Sequence, residues 1–140
     1  MLSFLGRSVA GGSLGSLRAS SSSKFVIEAT DSTFQNVLEK SHTTPLIVDF
    51  YADWCGPCRK LAPELVSRVD KADGKLLLVK VNTDNEERTA AKYEIRSLPT
   101  VISFWKGQPK DTMIGLGSPA QIDTFVSQAI SHADDTSPKA

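Results

Sequence analysis

Two short runs, Leu46-Ile47-Val48-Asp49-Phe50-Tyr51 and Leu76-Leu77-Leu78-Val79-Lys80-Val81, are apolar at nearly every position, and each follows a break, Pro45 for the first and Gly74 for the second. A run this short and this apolar reads as a strand buried on both faces, so helices must cover both sides of its sheet. From Lys24 onward the chain supplies them, because short apolar runs alternate with helical patterns. That alternation predicts an α/β domain, a central mixed β-sheet flanked by helices.

Phe25-Val26-Ile27 is a candidate first strand, and Phe34, Val37 and Leu38 lie at helical spacing. Leu61, Ala62, Leu65, Val66 and Val69 trace one face of a second helix, with Pro63 inside it predicting a kink. Thr83 followed three residues later by Glu86 has the form of a capping box opening a further helix, which Tyr93 and Ile95 close. Pro99 to Trp105 and Lys110 to Leu116 flank Lys106-Gly107-Gln108-Pro109 and predict an antiparallel hairpin. Ser118-Pro119-Ala120-Gln121 combines an N-cap, a proline at the first helical position and the Gln of a capping box. Ile122, Phe125, Val126, Ala129 and Ile130 then supply a buried face.

At 140 residues and 40% hydrophobic composition the chain has room for one compact domain. Lys and Arg balance Asp and Glu at 16 each, which provides no basic surface for nucleic acid. No stretch approaches the roughly 18 continuous apolar residues of a membrane span, so neither nucleic acid nor membrane is an expected partner. Residues 1–23 contain no Asp or Glu, carry Arg7 and Arg18, and are rich in Ser, Gly and Leu. That is the composition of a mitochondrial transit peptide, and Ser-Val-Ala-Gly-Gly-Ser is a poor apolar centre for a secretory signal. An uncleaved flexible tail is the alternative reading. The expected organisation is therefore a transit peptide over 1–23, a domain over 24–132 and a frayed polar tail over 133–140.

The two cysteines, Cys55 and Cys58, stand three positions apart. A bridge across so short a loop constrains little of the unfolded chain, so its value lies in chemistry rather than stability. Disulfide exchange needs a thiolate near neutral pH and a second thiol close enough to release the mixed disulfide. With Cys55 capping the helix that contains Cys58 and Leu61, its sulfur faces the unpaired N–H groups of the first turn, which favour the anion. Cys58, one turn deeper, is expected to be shielded and to resolve. Pro57 suits the start of the helix, and Gly56 leaves room for another backbone. Half of a zinc site is the competing reading, but His42 and His132 are in no paired-ligand spacing and are expected to be solvent-exposed. Asp49 is a carboxylate within a run that otherwise reads as buried; either burial raises its pKa or it marks a strand end facing water. Lys80 interrupts the second run in the same way.

The segment Val48-Asp49-Phe50-Tyr51-Ala52-Asp53-Trp54-Cys55-Gly56-Pro57-Cys58 resembles the active-site segment of thioredoxins. The resemblance extends over about residues 24–132, through Pro63, Lys80-Val81-Asn82-Thr83-Asp84, Ser97-Leu98-Pro99-Thr100 and the Gly107 hairpin, and with the N-terminal segment it is to the mitochondrial type. Tyr51 departs from it, standing where many thioredoxins have tryptophan. The resemblance implies a thioredoxin fold and a thiol-disulfide oxidoreductase acting as a protein-disulfide reductase through a Cys55–Cys58 disulfide. It further implies that Asp49 lies behind Cys58 and accepts its proton, with Lys80 nearby modulating that carboxylate. The bond before Pro99 is expected to be cis and to face the dithiol. Trp54, Gly56, Pro57, Leu98, Pro99 and Gly115 form the implied contact surface for extended clients. No bound cofactor is expected: electrons come from NADPH through a thioredoxin reductase, and peroxiredoxins and other disulfide-bearing proteins are the implied clients of a monomer. Two competing functions are a secreted disulfide oxidase or isomerase, whose members commonly carry His at the position of Pro57, and a redox-sensitive binding module without turnover.

Overall fold

The protein is described by a computed structural model over residues 23–134. The segment read as a transit peptide lies outside these residues but for Ser23, and so does the polar tail from residue 135. In chain order the elements are β1 (Val26–Glu28), α1 (Phe34–Leu38), β2 (Leu46–Tyr51), α2 (Gly56–Ala72), β3 (Leu77–Asn82), α3 (Glu87–Lys92), β4 (Thr100–Trp105), β5 (Gln108–Ile114) and α4 (Pro119–Ser131). They form a five-stranded sheet of order β1-β3-β2-β4-β5. β1, β3 and β2 run parallel, and β4 and β5 are antiparallel to their neighbours. This is the mixed sheet expected from the sequence.

The two apolar runs are neighbours at its centre. β2 pairs with β3 in a register that sets Leu46 opposite Leu77 and Asp49 opposite Lys80, and with β4 on its other side. Alternation along β2 divides the core into two layers. Val48 and Phe50 join Phe34, Val37, Leu38, Val79, Val81 and Phe104 beneath α1. Ile47 joins Leu61, Leu65 and Val69 of α2, Leu78 of β3, and Ile122, Phe125 and Ala129 of α4. Full burial of a side chain of this size stabilises the fold by about 1.5–3 kcal/mol. On the α1 side Tyr93 meets Phe34, Phe50 and Phe104 at ring separations of 5.3–6.2 Å. α2 continues through Pro63 and ends at Asp73 and Gly74, both with positive φ. Ser118 and Gln121 cap α4 reciprocally, as their spacing predicts.

Several local expectations are corrected. β1, β3 and β4 start one residue later than read. Thr83 opens no helix: its N–H and hydroxyl both donate to the Tyr51 carbonyl, at 2.8 and 3.2 Å. α3 starts later, behind Glu86, and its first-turn donors are taken by Asp31, which accepts from the N–H groups of Arg88 and Thr89 and from the Thr89 hydroxyl. Glu86 returns the bond by accepting from the Asp31 N–H at 2.8 Å. The cap is thus split between two distant parts of the chain. The Thr89 hydroxyl, ahead of the backbone donors, depresses the Asp31 pKa. Asp31→Asn is therefore expected to lower the urea midpoint of unfolding at neutral pH. Because a depressed carboxylate stabilises only above its unfolded pKa, the difference shrinks as pH falls below about 3.8. Equal midpoints at pH 7 would contradict this role.

The hairpin turn is tighter than read. Lys106 and Gly107 alone form it, both with positive φ, and Trp105 pairs directly with Gln108. Ser41, in the 3₁₀ turn Glu39–His42 between α1 and β2, anchors it, its carbonyl accepting from Lys106 N–H and its hydroxyl from Gly107 N–H. Pro109 consequently falls inside β5, which tolerates it as an edge strand. His132 is not the exposed side chain expected: it is half-buried and its Nε2 lies 2.9 Å from Asp111 Oδ2. Ala133 and Asp134 extend α4 by a short 3₁₀ turn rather than fraying.

Candidate active site

β2 delivers the chain to the start of α2, where Cys55 takes an extended conformation and serves as the N-cap. Its Sγ accepts the Cys58 N–H at 3.2 Å, so the sulfur occupies the place that a capping oxygen usually fills. Pro57 lies in the first turn, where its missing donor costs nothing. Cys55 and Cys58 are joined as a disulfide with their Cα atoms 5.2 Å apart. The expected contrast in exposure is absent in this state: both cysteines are buried, at 4% and 3%, with Ala52, Tyr51 and Leu98 packed against the pair. Their surroundings still differ. Cys55 is flanked by Trp54, the most exposed large apolar side chain among the described residues at 69%, and by the exposed Pro57. Cys58 instead lines a cleft of about 810 Å³ together with Glu28, Tyr51 and Lys80.

Trp54 is held outward by its Nε1–H, which donates to Asp84 at 3.0 Å. Leu98 packs against Ala52 and the two cysteines, and the Leu98–Pro99 peptide is cis, as the resemblance implied. Gly115, at φ +87°, donates its N–H to the Pro99 carbonyl at 2.9 Å. A Cβ added at Gly56 or Gly115 would meet nothing within 4 Å, so both positions leave room for an incoming backbone. Of the six residues read as a contact surface, Trp54, Gly56 and Pro57 are chain neighbours of Cys55, Leu98 packs against both cysteines, and Pro99 and Gly115 are tied to each other by that backbone bond.

Asp49 is 1% exposed, which excludes the reading as a strand end facing water. Neither of its oxygens has a hydrogen-bond partner among the described residues. Burial raises its pKa to about 6 against the partly opposing charge of Lys80. Lys80 is its cross-strand register partner, and the Lys80 Nζ lies 4.3 Å from the centroid of the Tyr51 ring. Two contributors were not legible as site residues. Glu28, at the end of β1, accepts from the Tyr51 hydroxyl at 3.3 Å, and Asp84 tethers Trp54. The carboxylate closing an apolar strand was the only available signal for Glu28, and it does not reveal strand register. Among the described residues no three His, Cys, Asp or Glu side chains gather as metal ligands, and no helix is long and apolar enough to cross a membrane.

Comparison with known proteins gives this geometry a family. The model of the family described as Thioredoxin matches residues 25–128. The chain is 46% identical over 89 residues to Thioredoxin 1 of Nostoc sp., covering 63% of this chain and 81% of that protein. It is 37% identical over 105 residues to the thioredoxin of Rickettsia prowazekii, covering 75% and 99%. Among solved structures, the reduced thioredoxin pre-protein of Schistosoma mansoni superposes with a TM-score of 0.67 at 33% identity, over 74% of this chain and 97% of that one. A matched family domain, a shared fold and a cysteine pair at disulfide distance place this chain in the thioredoxin family, as a thiol-disulfide oxidoreductase that reduces protein disulfides.

Proposed function

We propose that this thioredoxin serves mitochondrial redox homeostasis, with Cys55 as nucleophile, Cys58 as resolving thiol and Asp49 as the base for Cys58. The Cys55 thiolate attacks one sulfur of a client disulfide; a mixed disulfide forms and the other client sulfur leaves as a thiolate. Cys58 then gives its proton to Asp49, and its thiolate attacks the Cys55 sulfur. The Cys55–Cys58 disulfide forms and the second client thiolate is released. The client has gained two electrons and the protein has lost them. A thioredoxin reductase returns them from NADPH, and no cofactor resides in the domain.

The observation that carries this assignment is the pairing of environments across one disulfide. Cys55 stands at a helix N-terminus, where unpaired N–H groups and the dipole favour its anion. Cys58 lines the cleft shared with Lys80, the register partner of a buried carboxylate whose pKa of about 6 suits proton exchange near neutrality. Trp54, Leu98, Pro99 and Gly115 surround Cys55 as a surface for extended segments, with Gly56 and Pro57 between the cysteines tuning redox poise. Peroxiredoxins and other disulfide-bearing proteins have the chemistry this surface accepts.

The mitochondrial assignment rests on the acid-free, Arg- and Ser-bearing composition of residues 1–23. Tagged full-length protein is expected in the mitochondrial matrix fraction, and a chain beginning at Ser23 in the cytosol. The shortened chain is expected to retain full insulin-reducing activity in vitro, because every element around the cysteines lies beyond Ser23. Entry of the full chain into the secretory pathway, or loss of activity by a folded shortened chain, would contradict the assignment.

A further inference from the structure

We infer that Tyr51 and Glu28 act as a positioning pair that keeps the Lys80 ammonium at the cleft beside Cys58 and reserves its charge for Asp49. The inference rests on the reading of Asp49 as the group that takes the Cys58 proton. Three strands set the geometry. Glu28 of β1 is in register with Lys80 of β3, and Lys80 is in register with Asp49 of β2. All three stand two residues beyond Val26, Leu78 and Ile47, which pack on the α2 side, so strand alternation puts them on that same face. Lys80 therefore has a carboxylate neighbour on each side, and the two compete for one ammonium.

Tyr51 intervenes in that competition with both ends of its side chain. Its hydroxyl donates to Glu28 Oε1 at 3.3 Å, while the face of its ring lies 4.3 Å from the Lys80 Nζ. A cation over an aromatic face gains from the ring quadrupole without being neutralised by it. Among the described residues Lys80 forms no direct ion pair with either carboxylate. Burial first, and then the Glu28 and Asp53 carboxylates, raise the Tyr51 pKa, so the phenol remains a donor at any physiological pH. The charges acting on Asp49 are Lys80 from β3, its register partner, and Glu28 from β1; both line the cleft together with Tyr51, Asp53, Cys58 and Arg59. β4 contributes the uncharged Val101 as register partner, and α4 presents Ile122 and Phe125 to this layer. The Lys80 charge opposes the burial of Asp49 and the Glu28 charge adds to it, so the division of Lys80 between them sets the proton affinity of the site.

The test is a double-mutant cycle read by NMR titration of the Asp49 side-chain carboxyl in the oxidised full chain. In the wild type the midpoint is expected near pH 6. Glu28→Gln removes the competitor and is expected to lower it. Tyr51→Phe keeps the ring but frees Glu28 to pair with Lys80, and is expected to raise the midpoint by about half a pH unit or more. In the Glu28→Gln background, Tyr51→Phe is expected to shift nothing, since no freed carboxylate remains. Equal shifts in both backgrounds, or no shift in either, would overturn the positioning role. The titration uses no client and no reductase, so a failure of disulfide reduction would overturn the functional reading and leave this result standing.

Discussion

Cys58→Ser is expected to accumulate client proteins covalently bound through Cys55, whereas Cys55→Ser captures none and loses all turnover. The asymmetry follows from position rather than from exposure, because the oxidised pair is buried almost equally. Cys55 caps α2 and receives the Cys58 N–H, so its reduced sulfur gains the stabilisation that a helix N-terminus offers an anion. A serine there is not appreciably ionised at neutral pH and forms no mixed disulfide. In Cys58→Ser the attacking thiolate is intact and only the group that frees the client is missing, so the covalent complex persists. Non-reducing gels after incubation with mitochondrial extract read both outcomes, and dithiothreitol is expected to dissolve the Cys55-linked complexes. Trapping by Cys55→Ser and not by Cys58→Ser would reverse the assignment.

Asp49→Asn is expected to stabilise the oxidised protein at neutral pH and to slow client release. A carboxyl whose folded pKa is raised binds its proton more tightly folded than unfolded. Its contribution to stability is therefore fully present below about 3.8 and is lost as pH rises through about 6. At about 1.4 kcal/mol per unit, the charged form costs the wild type about 3 kcal/mol at pH 7. Asparagine has similar shape and never carries that charge, so its advantage in urea unfolding is expected to be near 3 kcal/mol at pH 7.5 and to vanish towards pH 4. Carboxylates remote from Asp49 titrate alike in both proteins and cancel in the difference. Release of the client from the mixed disulfide is expected to slow by about 100-fold or more at pH 7 and to lose its inflection near pH 6. A pH-independent stability difference together with wild-type release would remove Asp49 from the mechanism.

What was legible in the sequence was local. The β2 boundaries coincide with the apolar run Leu46 to Tyr51, and the Ser118/Gln121 box opens α4, because both signals lie within a few consecutive residues. The Thr83/Glu86 pattern failed because the donors of α3 are capped by Asp31, 58 residues before Thr89. The hairpin was read two residues too wide because Ser41, far from it in sequence, holds Lys106 and Gly107 in the left-handed region. At the site, the Cys-x-x-Cys spacing and the lone carboxylate in a buried run pointed directly at Cys55, Cys58 and Asp49. The Glu28–Tyr51 contact depended on β1 lying beside β3, a register that no local pattern encodes.

Reduction of insulin by catalytic amounts of the full chain, driven by NADPH and a thioredoxin reductase, tests the disulfide-reductase assignment most directly. The wild type is expected to consume NADPH continuously while insulin precipitates, and both Cys55→Ser and Cys58→Ser to show no such turnover. A wild-type chain that binds clients in its dithiol form and releases them on oxidation, without NADPH consumption beyond one equivalent per Cys55–Cys58 pair, would contradict the account and identify a redox-sensitive binding module.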